Sequence, residues 1–516
     1  MADPRPEQGN TRDTVESGFS LVLIASAVIA ATLMQTLDTT IVNVALPIIQ
    51  GNLGATLDES SWVVTGYIIS AVIVIPLTPW LQIRFGRRQY YATAIIGFTV
   101  ASIMCGLSSS ITELILWRIV QGAFGGGLIA TAQATLRETF PKRLFGLSQG
   151  LFSIGAVVGP AVGPTLGGWL TDNVSWNWVF FINVAPGLFA GTVILMRLKN
   201  PTDPRRIPLD NVGLALLIVG LGSLQYVLGE GQQNDWFNDS TILAVGITSA
   251  VALITFVCWE LFATKNPVVD LRVLRFPQVA AGATLAFCIG SVLYGGIVIF
   301  PQYTQGVLGF TAMLSGEMIF VRAAFIAIGA PLAVRLATNP RVDTRLLLLI
   351  GFSLVGISQF WFAHVTTSTT DFGVMVWPNI VNGVGLSLLF IPISIAMLNG
   401  LNPQTIPKAA AFQSLSTQLG GSISTAVLVT ILARRSAFHQ DALAQFMQPA
   451  YGPVARFLHA GGSLGQLYGD VVREASVMSF ADCQFVLGVL AIALLPLVFV
   501  LPKKRAAAGP VHISME

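Results

Sequence analysis

The chain has 516 residues, of which 53% are hydrophobic and only 10% charged, and its formal net charge is +3. Soluble domains carry about 25% charged residues, so the composition excludes a soluble globular protein and indicates a polytopic membrane protein. The four cysteines lie inside apolar runs without a CxxC pair. Neither a disulfide framework nor a metal cluster is therefore expected.

Apolar runs of roughly 20 residues, the length that crosses a bilayer, follow one another along the chain. Fourteen such runs begin near residues 19, 62, 90, 111, 146, 176, 211, 241, 279, 312, 344, 373, 408 and 479. The sequence therefore predicts an all-α protein with fourteen spans and with both termini on one side of the membrane.

The distribution of basic residues predicts which side that is. Of the 28 Lys and Arg residues, 22 lie in the two tails or in the alternate connections on the same side as the tails. The opposite connections are short and acidic, with Asp58, Glu59 and Asp172 among their residues. The positive-inside rule then makes both termini cytoplasmic.

Two basic linkers divide the chain into six, two and six spans. We expect a cytoplasmic tail (1–18), a six-helix bundle (19–200), a linker with two additional helices (201–278), a second six-helix bundle (279–502) and a cytoplasmic tail (503–516). Residues 434–478 are polar and lack a sustained apolar run. They are expected to form a long loop on the outer face.

The fifth predicted span contains a glycine repeat, GAVVGPAVGPTLGG, from Gly155 to Gly168. Glycines spaced four residues apart form one bare strip on a helix, along which another helix can approach closely. Two prolines inside the repeat remove helical hydrogen bonds and predict a kink. The alternative is an ordinary small-residue membrane interface. The members of the motif are Gly155, Gly159, Pro160, Gly163, Pro164, Gly167 and Gly168.

Ionisable side chains inside a span are costly and indicate function. Asp38 on the first span and Arg118 on the fourth lie at matching depths, roughly 12 and 10 Å from the same surface at 1.5 Å per residue. Burial favours the neutral acid and a nearby guanidinium favours the carboxylate, so Arg118 would adjust the proton affinity of Asp38. Asp38 is therefore the candidate proton and cation carrier, and the pair is expected to face a cavity between the helices. The alternative is a permanent ion pair that only fixes the helix register.

Glu317 and Arg322 on the tenth span complete the set of candidate proton-coupling charges. Five residues leave them roughly 140° apart on the helix, so each needs a different partner. Glu317 lies near the outer end, where solvation is the simpler interpretation. Arg322 lies near mid-membrane, where it either lines the cavity or belongs to a structural hydrogen-bond network.

Neutral polar residues on several spans are candidates for the wall of a substrate cavity, with helix packing as the alternative for each. They would provide polar contacts beside aromatic and apolar surface that suits large lipophilic cations. These residues are Gln35, Gln121, Tyr294, Gln302, Tyr303, Asn379, Asn382, Gln413 and Gln418.

Catalytic and nucleotide-binding motifs of the GxxxxGK[ST], HExxH and GxSxG types do not occur in the sequence. Energy must therefore come from an ion gradient or from the substrate's own gradient. We expect no enzymatic activity, no cofactor and no nucleic-acid partner.

Several segments together resemble the fourteen-helix drug:proton antiporters of the major facilitator superfamily (MFS). They are LDTTIVNVALP (37–47), RIVQG (118–122), GPAVGPTLGGWL (159–170), WNWVFFINV (176–184), FPQYTQGVLGFTA (300–312) and DFGVMVWP (371–378). The resemblance implies an MFS fold of two six-helix bundles with the site between them. It also implies that the glycine motif lies on the sliding surface between the halves.

For function, the resemblance implies proton-driven export of hydrophobic, amphipathic or cationic drugs across a bacterial inner membrane. It further implies two partners, a periplasmic membrane-fusion adaptor and a TolC-type outer-membrane channel. The alternatives are a dedicated exporter of one metabolite, fatty acid or lipid and, in another class, a non-transporting scaffold or sensor.

The loop after the second span departs from the family pattern. Arg84, Gly86 and Arg87 of the cytoplasmic gating loop are present, but Pro79 and Ile83 stand where the family has a glycine and an acid. A charge relay through that acid is therefore in doubt.

Overall fold

The computed structural model describes residues 18–141, 144–200, 208–264, 267–339, 341–448 and 452–501, and these contain helices but no strand. The first half comprises α1 (Gly18–Leu53), α2 (Leu57–Phe85), α3 (Arg87–Leu107), α4 (Ile111–Gly125), α5 (Leu128–Thr139), α6 (Phe145–Asn173), α7 (Trp178–Phe181) and α8 (Val184–Arg197). The middle pair is α9 (Asn211–Glu230) and α10 (Ser240–Cys258). The second half comprises α11 (Pro277–Gly306), α12 (Ala312–Thr338), α13 (Thr344–Val365), α14 (Phe372–Leu398), α15 (Ile406–Ala444), α16 (Gly452–His459) and α17 (Leu464–Ala493).

Fourteen helical segments of the described chain are long and apolar enough to span a membrane. Thirteen are continuous by this criterion, and α6 makes the fourteenth when its two arms, bent by 41° between Pro160 and Val162, are counted as one span. The pairs α4–α5 and α7–α8 each form one span. The predicted all-α, fourteen-span architecture is therefore confirmed.

The glycine motif packs α6 against α1 within the first half. A Cβ atom at Gly159 would overlap Thr36 Oγ1, and one at Gly163 would overlap Thr40 Oγ1. The close approach lets Thr36 Oγ1 donate a hydrogen bond to the carbonyl of Gly155 at 3.1 Å. Glycine is required here because two helix backbones nearly touch.

The expected position of the glycine strip between the two halves is therefore wrong for this conformation. The halves meet on the other side of α6, where Gly146 and Gly150 face Val334 and Thr338 of α12. Gly146 and Gly155 are nine residues apart, which places them about 180° apart on a helix. The strip holds one bundle together, and the opposite face of α6 contacts the other bundle.

The middle pair packs beside the first half. Ser249 Oγ of α10 donates to the Gly220 carbonyl of α9 at 2.9 Å, and Ser61 Oγ of α2 donates to Glu230 Oε1 of α9 at 2.9 Å. The other faces of α10 expose apolar side chains such as Ile254. These contacts attach α9 to α2 and leave α10 facing outward.

The expected long loop at 434–478 is largely helical. The helix α15 continues to Ala444 and α17 already begins at Leu464, with α16 between them. Asp482 Oδ2 joins the two long helices because it accepts from Arg435 Nε at 2.6 Å and lies 2.8 Å from His439 Nε2. Polar composition indicates exposure to water and does not exclude a helix that extends beyond the membrane.

Parts of the expected domain plan lie outside the described residues. These are residues 1–17 of the first tail, 201–207 of the first basic linker and 502–516, which contain the last tail. The basic residues Lys142, Arg143 and Lys265 also lie outside them.

Candidate functional site

Asp38 lies at the centre of the first bundle and is completely buried. Its Oδ2 accepts a hydrogen bond from Arg118 Nη1 at 2.6 Å. Its Oδ1 accepts from Gln121 Nε2 at 3.0 Å and from Asn183 Nδ2 at 3.2 Å. Among the described residues, three donors and no acceptor contact the carboxyl group. This arrangement matches a carboxylate because the O–H of a protonated acid would need an acceptor.

Arg118 is positioned by groups from two helices. Its Nε donates to the Val63 carbonyl of α2 at 3.0 Å, and its Nη1 also donates to Gln121 Oε1 at 2.7 Å. Its Cζ lies 4.1 Å from the ring centroid of Tyr67, a cation–π distance. The guanidinium is therefore fixed toward α1, and the pair predicted from matching depths is present.

A hydrogen-bond chain extends the site to α3 and to the turn between α7 and α8. Asn183 Nδ2 also donates to Ser102 Oγ at 3.0 Å, and Ser102 Oγ donates to the Phe180 carbonyl at 2.8 Å. The sequence interpretation missed Tyr67, Ser102 and Asn183 as members of the site. The signal for Asn183 was an asparagine deep in the apolar run WNWVFFINV, which also contains Asn177 near its start.

A cavity of about 760 Å³ lies between the two halves. Its wall comes from the second half of α1, the first half of α2, the second half of α11, the middle of α15 and the end of α9. No charged side chain is among its described lining residues. The lining includes Thr39, Thr40, Asn43, Pro47, Ser61, Thr65, Pro164, Gln225, Gln232, Tyr294, Gln302, Gln305, Gln418, Ser422 and Thr425.

The Asp38–Arg118 pair does not line this cavity, so the expectation that it faces the cavity is wrong for this conformation. Asp38 is 0% and Arg118 is 1% exposed. The next residues on α1, Thr39 and Thr40, do line the cavity. Successive residues of a helix point about 100° apart, so the pair lies directly behind the wall that α1 provides.

Three of the nine expected cavity residues line the cavity, namely Tyr294, Gln302 and Gln418. The other six are absent from its wall because their helix faces turn toward neighbouring helices. They are Gln35 and Gln121 in the first bundle, Tyr303, Asn379 and Asn382 in the second, and Gln413 at the junction between the halves.

The cavity reaches the helix ends at Ser61 and Gly306 and is closed at the other end. We call the membrane face where α1 begins the basic face, because Arg84, Arg87 and Arg137 lie there. On this side Gln133 Nε2 of α5 donates to Gln413 Oε1 of α15 at 2.8 Å across the junction between the halves. The cavity therefore opens toward the face opposite the basic face.

The inserted helix α9 contributes to the cavity through Gln225 and Gly229, and the turn after it contributes Gln232. The sequence interpretation named no cavity residue on this helix and missed its polar face. The signal was Gln225, a glutamine inside an otherwise apolar run.

Arg87 of the gating loop forms a partly buried ion pair with Glu138 at the end of α5. Its Nη1 lies 2.5 Å from Glu138 Oε2, and its Nε donates to Gln82 Oε1 at 3.0 Å. Gly86 has φ +83°, a conformation that favours glycine. Although Ile83 replaces the family's acid, Glu138 provides a carboxylate for this loop, while Arg84 is half-buried without a described partner.

Glu317 and Arg322 lie apart, in agreement with their expected helix faces. Glu317 is exposed near the start of α12. Arg322 is 4% exposed, donates from Nε to Asn379 Oδ1 at 3.1 Å, and has its Cζ 5.7 Å from the Phe300 ring centroid.

The sequence and fold comparisons agree on one family. The family model of the Major Facilitator Superfamily matches residues 28–425. The multidrug export protein EmrB of Escherichia coli K12 is 34% identical over 446 residues, or 86% of each chain. The fatty acid resistance protein FarB of Neisseria gonorrhoeae is 31% identical over 505 residues, or 96% of this chain and 99% of that protein.

A solved structure shows the same fold at low sequence similarity. The proton:xylose symporter XylE has a TM-score of 0.57 and 12% identity, and the match covers 95% of this chain and 97% of that chain. The resemblance inferred from the motifs is confirmed at the level of the family. With a family model that matches most of the sequence and relatives that span nearly all of it, the chain belongs to the Major Facilitator Superfamily.

Proposed function

We propose that the protein is a proton-coupled multidrug efflux transporter, a drug:H⁺ antiporter that exports hydrophobic and amphipathic toxic compounds across a bacterial inner membrane. The observation that carries the proposal is the buried Asp38–Arg118 pair directly behind a wall of the inter-bundle cavity. An ionisable pair inside a membrane bundle is costly and marks an ion pathway or a proton relay.

The charge distribution gives the proposed orientation. With the basic face in the cytoplasm, both termini are cytoplasmic and the cavity opens to the periplasm. The contact between Gln133 and Gln413 and the packing of Gly146 and Gly150 on α12 then close the cytoplasmic side. The conformation is outward-open and ready for release of cargo.

Proton coupling follows from the partners of Asp38. A proton that reaches Asp38 from the periplasm neutralises the carboxylate and removes the charge that holds Arg118, Gln121 and Asn183. The pair then separates, α1 is released from α4, and the bundles rock toward the inward-open conformation. There Asp38 gives its proton to the cytoplasm as cargo enters and the pair forms again.

The cavity fits amphipathic cargo of varied structure. Its volume of about 760 Å³ lies in the range of drug-sized pockets. Apolar side chains such as Val298 and Ile297 are interspersed with the amides of Gln302, Gln305 and Gln418. Amides both donate and accept hydrogen bonds, so they contact many cargo groups without requiring one geometry.

The EmrB similarity supports two partners, an EmrA-like periplasmic membrane-fusion adaptor and a TolC-type outer-membrane channel. The extended ends of α15 and α17, joined through Asp482, provide a rigid outer surface for the adaptor.

A dedicated exporter of one fatty acid, lipid or other metabolite is the second candidate, and the similarity to FarB favours it. Resistance profiles separate the two candidates. Expression of the chain in a drug-sensitive strain should raise resistance to several unrelated amphipathic compounds. Resistance to one compound class alone would select the second candidate.

Drug-induced proton movement tests the transport class directly. Vesicles that contain the purified protein and a pH-sensitive dye should release protons when a lipophilic cation such as ethidium is added. The Asp172→Asn variant, which changes an exposed carboxylate at the end of α6, should behave like the wild type. No proton movement with the wild type would contradict the proposal and would leave the dedicated exporter and the scaffold or sensor as alternatives.

A further inference from the structure

Arg322 is a buried cation without a described counter-ion. None of the five ion pairs among the described residues includes it. Its one described hydrogen bond runs from Nε to the neutral amide of Asn379. Both Nη nitrogens therefore keep donor hydrogens that no described residue accepts, and a buried charge of this kind requires compensation.

The second bundle repeats the arrangement of the first around this cation. Arg118 and Asn379 are each the eighth residue of their helices, α4 and α14. Tyr67 and Arg322 are each the eleventh residue of α2 and α12. The two halves thus place a cation at corresponding depths, but its position has moved from the fourth helix of one half to the second helix of the other.

Among the described residues of the second bundle, the carboxylate of the first bundle has no counterpart. The helix that corresponds to α1 is α11, and next to Arg322 it presents Gly296. A Cβ atom placed on Gly296 would have two other-helix neighbours within 4 Å, Arg322 Nη1 at 3.5 Å and Gln359 Nε2 at 3.8 Å. Two nitrogen donors therefore converge on a surface that carries no side chain.

Gln359 is a second donor without a described partner. It is 2% exposed and lies on α13 at the sixteenth position, which is the position of Ser102 on α3. In the first bundle Ser102 contacts the asparagine that binds Asp38. The second bundle keeps donors at these positions and lacks the acid that they would bind.

We propose that Arg322, Gln359 and the bare face of Gly296 form a subsite for the carboxylate headgroup of an amphipathic anion. Tyr294, Ile297 and Val298, the neighbours of Gly296 on α11, line the inter-bundle cavity, whereas Gly296, Arg322 and Gln359 are not among its described lining residues and lie directly behind this wall. The apolar part of the cargo lies in that cavity while its carboxylate replaces the missing acid beside Arg322. The inference rests on the proposed function only in taking this cavity as the cargo route.

A planar guanidinium with two free nitrogens matches a carboxylate in a bidentate manner. Hydrogen bonds to charged groups contribute about 1.5–3 kcal/mol, which corresponds to roughly 10- to 100-fold in affinity. The anion should therefore bind at least about tenfold more tightly than a neutral molecule of the same shape.

Binding of oleate and of oleyl alcohol to the full-length protein in neutral detergent tests the subsite. The two probes share a chain and differ at the headgroup, so their affinity ratio isolates the carboxylate. The wild type should prefer oleate by about tenfold or more. Arg322→Gln should reduce the ratio to near one, and Arg322→Lys should keep part of the preference.

Substitutions at Gly296 provide a test that leaves the arginine in place. Gly296→Asp introduces an internal carboxylate beside Arg322 and should abolish the preference for oleate. Gly296→Asn, which has nearly the same shape without the charge, should retain more of it. A Cβ at this position makes ordinary van der Waals contacts, so both variants should fold, as thermal unfolding will show.

A wild-type affinity ratio near one would overturn the inference, and so would a ratio that Arg322→Gln and Gly296→Asp leave unchanged. If excess chloride abolished the preference, so that oleate and oleyl alcohol bound equally, the site would hold a small anion only. This result would also overturn the inference. Because binding is measured without a gradient, its outcome is separate from the proton-coupling test. Ethidium-driven proton movement without oleate preference would refute the subsite alone.

Discussion

Alanine substitutions along the glycine strip should destabilise the first bundle in a graded manner. The strip packs on α1, and the space for a Cβ differs among its members. Gly155 is the most open, with Thr32 Cβ at 3.2 Å, and Gly167 is tighter, with Ile41 Cγ1 at 2.8 Å. At Gly159 and Gly163 the new atom would overlap threonine oxygens.

The magnitude for Gly159→Ala follows from three contributions. Overpacking costs about 1–3 kcal/mol, and displacement of Thr36 weakens its hydrogen bond to the Gly155 carbonyl, worth about 1 kcal/mol. Replacement of a helical glycine by alanine contributes about 1 kcal/mol in the opposite direction. The net loss of unfolding free energy should be about 1–3 kcal/mol, while Gly155→Ala should be close to neutral.

Unfolding in mixed micelles gives the free energy of unfolding of each purified variant. Gly373→Ala is the control, because no neighbouring atom lies within 4 Å of its Cβ position. The expected order of destabilisation is Gly159 and Gly163, then Gly167, then Gly155. Thr36→Ala should partly rescue Gly159→Ala because it removes the overlapping oxygen. Equal stability across the series, combined with lost transport, would refute the assignment of the strip to one bundle and would favour a sliding surface.

Three further predictions concern the ion pair, the closed side and the gating loop. Asp38→Asn and Arg118→Met should each reduce the free energy of unfolding by about 3–5 kcal/mol. The double variant should lose less than the sum of the two single losses, and additive losses in a double-mutant cycle would contradict a coupled pair. A short flexible cross-linker between cysteines introduced at positions 133 and 413 should stop transport, because these side chains meet across the closed side. Unchanged efflux from vesicles with fully cross-linked protein would show that transport does not require this junction to open. Gly86→Ala should lower the unfolding free energy by about 1–3 kcal/mol because φ +83° and ψ 140° lie in a region that is essentially restricted to glycine. Equal stability of wild type and Gly86→Ala would argue against this turn.

The fold was predictable from sequence because membrane spans depend mainly on local composition. An apolar run can be recognised as a span from its own length, because a spanning helix satisfies its backbone hydrogen bonds within the same segment. The polar segment near Arg434 was misjudged for the same reason, since composition reports water exposure and not helix length. Arg435, in the outer part of α15, forms its hydrogen bond with Asp482 of α17, which is far away in the sequence.

The candidate site was only partly predictable. Asp38 and Arg118 stand out because charges are rare in the spans, and their matching depths indicated a contact. Whether a residue faces the cavity or a neighbouring helix depends on helix rotation, which the sequence of one chain does not specify when small and polar residues occur on several faces. For that reason Asn379 and Asn382 were expected on the cavity wall but lie between helices, and Gln225 was missed.

The most direct test of the account is cargo export from proteoliposomes under an imposed pH difference. Wild-type protein and Asp172→Asn should extrude ethidium only when the pH difference is present, and Asp38→Asn should bind ethidium but show no gradient-driven export. Export by Asp38→Asn that still follows the imposed gradient would contradict the claim that the buried acid of α1 carries the proton.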